Sequence, residues 1–288
     1  MDARLPEPQR EWRPRRLRDC RWDAMITLRS GISMGYDDVG TGIPVVFLHG
    51  FPHNRRLWAP QLGGLMARAR CIALDLRGFG ESEVRGPYSM DQYADDVVAL
   101  LDALHVERAV IAGLSMGGYI AFAIWRRHRE RVRALILADT RPGADGDEAK
   151  AKRRDMIGVA RARGSSAIAD AQAGAMVGHT TRDRHPDIAD AIHQMLTVAP
   201  VEGVIGALEA MIARPDSTAL LDTIDVPTLI IVGEEDVLTP PAEARAMHAR
   251  IAGSRLEILD HAGHVSNFER PAAFNHVASE FLGVLTYA

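Results

Sequence analysis

Cysteine is scarce in this 288-residue chain: Cys20 and Cys71 are too few for a disulfide framework. Cys71 sits in the apolar run "CIALDL", where a buried thiol is expected. A reducing, cytoplasmic setting is therefore the expectation. A basic excess is also missing. The 34 Lys and Arg stand against 38 Asp and Glu, a formal net charge of −4, which speaks against nucleic acid or anionic lipid as a partner. No apolar run approaches the ~18 to 20 residues of a membrane span. No positively charged segment leads into an apolar signal core, and Arg15-Arg16 is followed by no hydrophobic stretch of the kind a twin-arginine signal needs. Internal repeats and low-complexity domains are absent too. What is there is a soluble globular composition. With 47% hydrophobic residues the chain can fill one large α/β domain with an insertion, or two small domains.

Residues 1–24 are rich in Arg and Pro and follow neither a period of 2 nor one of 3.6, so they read as a disordered extension with Met25 as an alternative start. From Met25 strand and helix patterns alternate. Short apolar, β-branched runs occur at "MITL" (25–28), "ISMGY" (32–36), "PVVFLHG" (44–50), "CIALD" (71–75), "AVIAG" (109–113), "ALILAD" (134–139), "TLIIVG" (228–233) and "RLEILD" (255–260). The later six are almost continuously apolar, as strands covered on both faces must be, and this predicts a mainly parallel sheet. Ser89 opens an amphipathic helix with Gln92 as its capping-box partner and Met90, Tyr93, Ala94, Val97, Leu101 and Leu104 on one face. Pro240 and Pro271 stand where first-turn prolines belong. Residues 141–215 contain no strand run and read as several short helices. They form a predicted helical cap inserted into a core made of 25–140 and 216–288.

Gly113-Leu114-Ser115-Met116-Gly117 fits G-x-S-x-G, where a serine stands on a sharp strand-to-helix turn. Taken alone, Ser115 is equally a helix cap. A useful nucleophile also needs a base, an orienting acid and donors for an oxyanion. "IIVGEEDVLTPP" sets Asp236 beyond a strand end, "LDHAGHVSNFERP" sets His264 in the loop after the next strand, and the "FLHGF" turn offers the Phe51 amide beside that of Met116. Asp139, ending "ALILAD", is the alternative acid. His261 competes with His264, Glu234 and Glu235 read as solvated loop charges, and His49 reads as a residue holding the turn.

Together with "DLRGFGES" (75–82), these pieces give the chain from Met25 onward a close resemblance to α/β-hydrolase-fold serine hydrolases. "GLSMGG", "VGEEDVLTPP" and "AGHVSNFERPAAF" are most similar to the branch of 3-oxoadipate enol-lactonases and carboxylesterases. The resemblance implies an eight-stranded sheet with helices on both faces and a cap over the site. It favours His264 over His261 by its place after a glycine. "HGFP" also resembles dehalogenases and epoxide hydrolases, but those carry an aspartate at the elbow.

The chemistry implied is hydrolysis of a small ester or lactone through an acyl-enzyme on Ser115, with His264 as base and Asp236 orienting it, and with neither metal nor organic cofactor. An enol-lactonase needs a cation for its substrate's carboxylate. Arg141, Arg153, Arg154, Arg161 and Arg163 are the candidates. Carbon–carbon bond hydrolases, perhydrolases and a ligand-binding receptor on the same fold are the other readings. No pattern in the chain specifies an oligomeric state. The cap methionines, Met156, Met176, Met195 and Met211, read either as packing between helices or as an adaptable wall over an acyl pocket.

Overall fold

The computed structural model describes residues 20–286. Eight strands form one sheet: β1 (Arg21–Thr27), β2 (Ser33–Val39), β3 (Ile43–Leu48), β4 (Ala69–Leu74), β5 (Ala109–Leu114), β6 (Val132–Ala138), β7 (Thr228–Gly233) and β8 (Arg255–Leu259). Their order is β1-β2-β4-β3-β5-β6-β7-β8. The β1–β2 and β2–β4 pairs are antiparallel, and every pair from β4–β3 to β7–β8 is parallel, so the predicted mainly parallel sheet is the observed one. One boundary differs. The first strand begins at Arg21, so residues 21–24 belong to the sheet and not to an extension. Their residues alternate between exposed and half-buried, as an edge strand requires, but charged Arg21 and Asp23 hide that alternation in the sequence. Residues 1–19, the rest of the predicted extension, lie outside the described residues.

The central strands read as continuous apolar runs because period-2 alternation feeds two separate cores. In β5, Ala109 and Ile111 face one core while Val110, Ala112 and Leu114 face the other. Helices α1 (Ala59–Leu65) and α10 (Pro271–Thr286) cover the second core, whereas α2 (Met90–Ala103), α3 (Met116–His128) and α8 (Pro241–Arg250) cover the first. Each fully buried Leu or Ile in these layers contributes about 1.5–3 kcal/mol. Ser89 Oγ accepts the Gln92 amide at 3.0 Å, but the Gln92 side chain turns to Asp96, so only half of the capping box forms.

Between β6 and β7 lies the cap: α4 (Asp147–Met176), α5 (His179–Arg184), α6 (Pro186–Thr197) and α7 (Val201–Ala213). A glycine at φ +76° and ψ −176°, Gly164, breaks α4 into two arms. The cap rests on "DLRGFGES" through α7, where a Cβ on Gly203 would come within 1.8 Å of the Gly78 carbonyl oxygen. That loop is held as expected. Arg77 grips Asp96 with two bonds of 2.5 and 2.7 Å, and Ser82 Oγ donates to the Asp75 carbonyl at 2.6 Å.

Candidate active site

Ser115 occupies the single step between β5 and α3 (φ 54°, ψ −113°), a conformation costly for any residue with a Cβ. The neighbours make it possible. A Cβ on Gly113 would lie 2.3 Å from the Gly117 carbonyl oxygen, and one on Gly117 would lie 2.2 Å from that of Leu48. The Ser115 amide donates to Ala138 of β6 at 3.0 Å, and Thr140 Oγ1 donates to the Ser115 carbonyl at 2.8 Å. The turn is thus pinned from the adjacent strand end, with Ser115 Oγ aimed at His264. It bonds His264 Nε2 at 2.8 Å.

On its other side His264 Nδ1 donates to Asp236 Oδ2 at 2.9 Å. Asp236 in turn accepts the Leu238 and Thr239 amides on Oδ1 (2.8 and 3.0 Å) and Thr239 Oγ1 on Oδ2 (2.7 Å). Burial opposes ionisation of Asp236, but His264 and these donors outweigh it and leave the carboxyl below its ordinary range. Burial likewise opposes a charged His264, yet Asp236 raises the imidazole above its ordinary 6.5.

Asp139, the alternative acid, is fully buried nearby without a hydrogen bond to His264. It accepts the Gly233 amide at 2.8 Å and the Ser266 hydroxyl at 2.6 Å. Burial first, and then the charge of Asp236, pushes its carboxyl well above the usual range. The two carboxyls are therefore driven in opposite directions, Asp236 down by its pairing with the imidazole and Asp139 up by burial beside that charge. His261, the rival base, is exposed and left-handed at φ 58°.

The two amides predicted as oxyanion donors flank the serine. Met116 opens α3, and Phe51 follows Gly50, where a Cβ would stand 3.2 Å from Ser115 Cβ. His49 holds the Phe51 turn in its neutral form: Nδ1 donates to the Gly50 carbonyl at 2.9 Å and Nε2 accepts the Leu76 amide at 3.0 Å. Burial pushes its pKa down to about 4. Sequence reasoning missed His53. It is buried, pushed down to about 3 by burial and by His49 and His264, and among the described residues neither ring nitrogen has a hydrogen-bonding partner.

A cavity of about 210 Å³ opens over the serine. Its apolar wall includes Phe51, Tyr119 and Leu238 together with Met156, Met176 and Met211 of the cap; Met195 lies at a different recess. Arg141 and Arg153 line it as well, along with Lys152, which the sequence had not distinguished. Arg154, Arg161 and Arg163 do not. Both lining arginines converge, with Arg214, on the buried carboxylate of Asp145. These ion pairs outweigh burial and hold Asp145 down to about 2. Of these three guanidiniums Arg141 and Arg153 face the cavity, and Lys152 beside them pairs with the exposed Glu148, so cationic groups gather at that end. Among the described residues no cluster of His, Cys, Asp or Glu could hold a metal ion.

A serine on a glycine-flanked elbow after the fifth strand, bonded to a histidine beyond the eighth, defines the α/β-hydrolase class. The chain belongs to the alpha/beta hydrolase fold family, whose profile matches residues 43–271. It is 31% identical over 233 residues to 3-oxoadipate enol-lactonase 2 of Acinetobacter baylyi, covering 81% of this chain and 85% of that one. A thermophilic esterase of Thermogutta terrifontis superposes with a TM-score of 0.88 at 40% identity, covering 91% of this chain and 98% of its own. The enol-lactonase of Burkholderia xenovorans superposes with a TM-score of 0.83 at 31% identity, covering 90% and 100%. The chain is thus a hydrolase whose relatives include esterases and enol-lactonases.

Proposed function

We propose that the protein hydrolyses carboxylic esters through an acyl-enzyme on Ser115. The observation behind this reading is the continuous hydrogen-bonded chain from Ser115 through His264 to Asp236 beside a cavity with an apolar wall. His264 Nε2 takes the Ser115 proton as the oxygen attacks the ester carbonyl. The Phe51 and Met116 amides receive the charge that develops on the carbonyl oxygen. The protonated imidazole, stabilised by Asp236, gives its proton to the leaving alcohol. A water deprotonated by the same nitrogen then attacks the acyl-enzyme and releases the acid.

The base must be neutral, so kcat/KM is expected to rise with pH through the His264 pKa. Asp236 raises that pKa, so the midpoint of the acidic limb should lie above 6.5. A pH–rate profile on p-nitrophenyl butyrate measures it, and a midpoint below 6.5 would show that burial outweighs Asp236 at the ring.

The cationic end of the cavity favours a second, narrower reading: an ester or lactone that carries a carboxylate, as an enol-lactone does. The supporting observation is that Arg141, Lys152 and Arg153 line the same cavity as Ser115. A panel of p-nitrophenyl esters tests both readings at once. Monoesters of dicarboxylic acids should exceed neutral esters of equal length in kcat/KM, and the advantage should shrink with added salt. Equal rates for the two series would remove the carboxylate reading and leave the esterase.

A further inference from the structure

The segments that carry Asp236 and His264 also hold the cap. Glu269, at the end of α9 (Ser266–Glu269), is 5% exposed and its carboxylate has donors on both sides. Oε1 accepts the amide of Gly263, the residue before His264, at 2.8 Å. Oε2 accepts the Gly178 amide at 2.8 Å and the Thr181 hydroxyl at 2.5 Å, both from the junction of α4 and α5. The two backbones touch directly as well. The Val265 amide donates to the Met176 carbonyl at 3.2 Å, and a Cβ on Gly263 would come within 2.2 Å of the Gly178 nitrogen.

A parallel contact lies one step away on the acid's loop. Glu235, next to Asp236, accepts the Thr180 amide at 2.9 Å and its hydroxyl at 2.5 Å, while its own amide donates to the Ala262 carbonyl at 2.8 Å. Its side chain is 8% exposed, so the expected solvated loop charge is a buried tie between cap and core. His179 and His261 flank Glu235 at 3.4 and 3.9 Å. On the other side of Glu269 stand His264 and, behind Ser266, Asp139.

We propose that Glu269 is a positioning residue that makes the cap junction 176–181 and the His264 loop one docked unit, so that the imidazole keeps its orientation toward Ser115 only while the cap is seated. The proposal rests on the reading of Ser115 and His264 as nucleophile and base. Its physical content is that one buried carboxylate accepts donors from both segments, so that undocking the cap strips Oε2 of its partners and opens to water the group that holds the Gly263 amide on Oε1.

Glu269→Gln keeps the shape but turns one accepting oxygen into a donor facing N–H groups. Thr181→Val removes one bond on the cap side only, and Thr181→Ser retains it. Amide hydrogen exchange followed by mass spectrometry reads the docking without reference to activity. Both Glu269→Gln and Thr181→Val should speed exchange several-fold in residues 176–181 and also in 262–266, while Thr181→Ser should match the wild type. The rate of Ser115 labelling by a fluorophosphonate and kcat on p-nitrophenyl butyrate should fall about tenfold in the first two variants and recover in the third. Faster exchange confined to 176–181 in Thr181→Val, with a wild-type labelling rate, would overturn the coupling. A wild-type protein that takes no label would sink the nucleophile reading instead, and the exchange data alone would still decide for or against the docked unit.

Discussion

Ser115→Ala is expected to lower kcat on p-nitrophenyl butyrate by ~10³-fold or more while leaving circular dichroism and Tm unchanged. The backbone of the elbow does not depend on the hydroxyl. Its strained φ is held by the bond to Ala138, the Thr140 clasp and the glycines at 113, 117 and 118, all of which alanine retains. Only Oγ is lost, and with it the atom that forms the acyl bond. What should survive is the small acceleration that two amide donors supply to a water attacking in place of the serine. The same variant should refuse a fluorophosphonate that the wild type takes up stoichiometrically. Activity within tenfold of the wild type would show that the turn serves only to start α3. A burst of p-nitrophenol equal to the enzyme concentration would exclude a ligand-binding receptor on this fold.

Asp236→Asn should cost about 10⁴-fold in kcat, whereas Asp139→Asn should cost less than tenfold. Asparagine at 236 keeps the Leu238 and Thr239 bonds through its oxygen. It then presents an NH2 group to His264 Nδ1, which turns the imidazole toward the tautomer that cannot accept from Ser115. It also removes the charge that stabilises the imidazolium. At position 139 the carboxyl is already pushed toward its neutral form and makes its bonds to Gly233 and Ser266, not to the imidazole. An amide there sets an NH2 against one of these donors, so its cost falls on stability, read as a lower Tm, and not on the tautomer of His264. If the two variants exchange these effects, the acid has been assigned to the wrong strand end.

The strands and the serine elbow were legible because their causes are local. A run such as "AVIAG" between charged segments has one stable use in a chain of this composition, and small residues around a serine mark a backbone that must pass close to others. Asp236 and His264 were legible by their position after strand ends, and the structure brings both within hydrogen-bonding reach of Ser115 in a chain. The choice between Asp236 and Asp139 was open because both follow parallel neighbouring strands. It depends on which carboxyl the fold turns toward the ring, and on which is taken by Gly233 and Ser266.

The ties that only the fold reveals are between distant residues. Glu269 meets Gly178 across 91 positions, and Glu235 meets Thr180 across 55. In the sequence each is one more acidic residue in a loop. Arg55 is a similar case. It is buried beneath the N-terminal strands among Asp23, Asp37, Asp75 and Glu81, and its neighbours in the chain give no sign of that. Lys152 reaches the cavity because α4 lines it along one side, with Ala149, Arg153 and Met156.

The break at Gly164 has a geometric consequence for the cavity. Ala149, Lys152, Arg153 and Met156 come from the arm before it, and Gln172 and Met176 from the arm after it. Both arms are anchored, the first through Arg153 on Asp145 and the buried Ile157 and Ala160, the second at Met176, so the angle at Gly164 is a held one. Met156 lies roughly 12 Å back along the helix, and a turn of about 10° there carries it ~2 Å, close to the radius of a methyl group. No side chain crowds the site of that turn, since a Cβ built on Gly164 meets nothing within 4 Å. The bend at Gly164, eight residues from Met156, thus sets the angle at which the two arms bring their side chains together over the cavity.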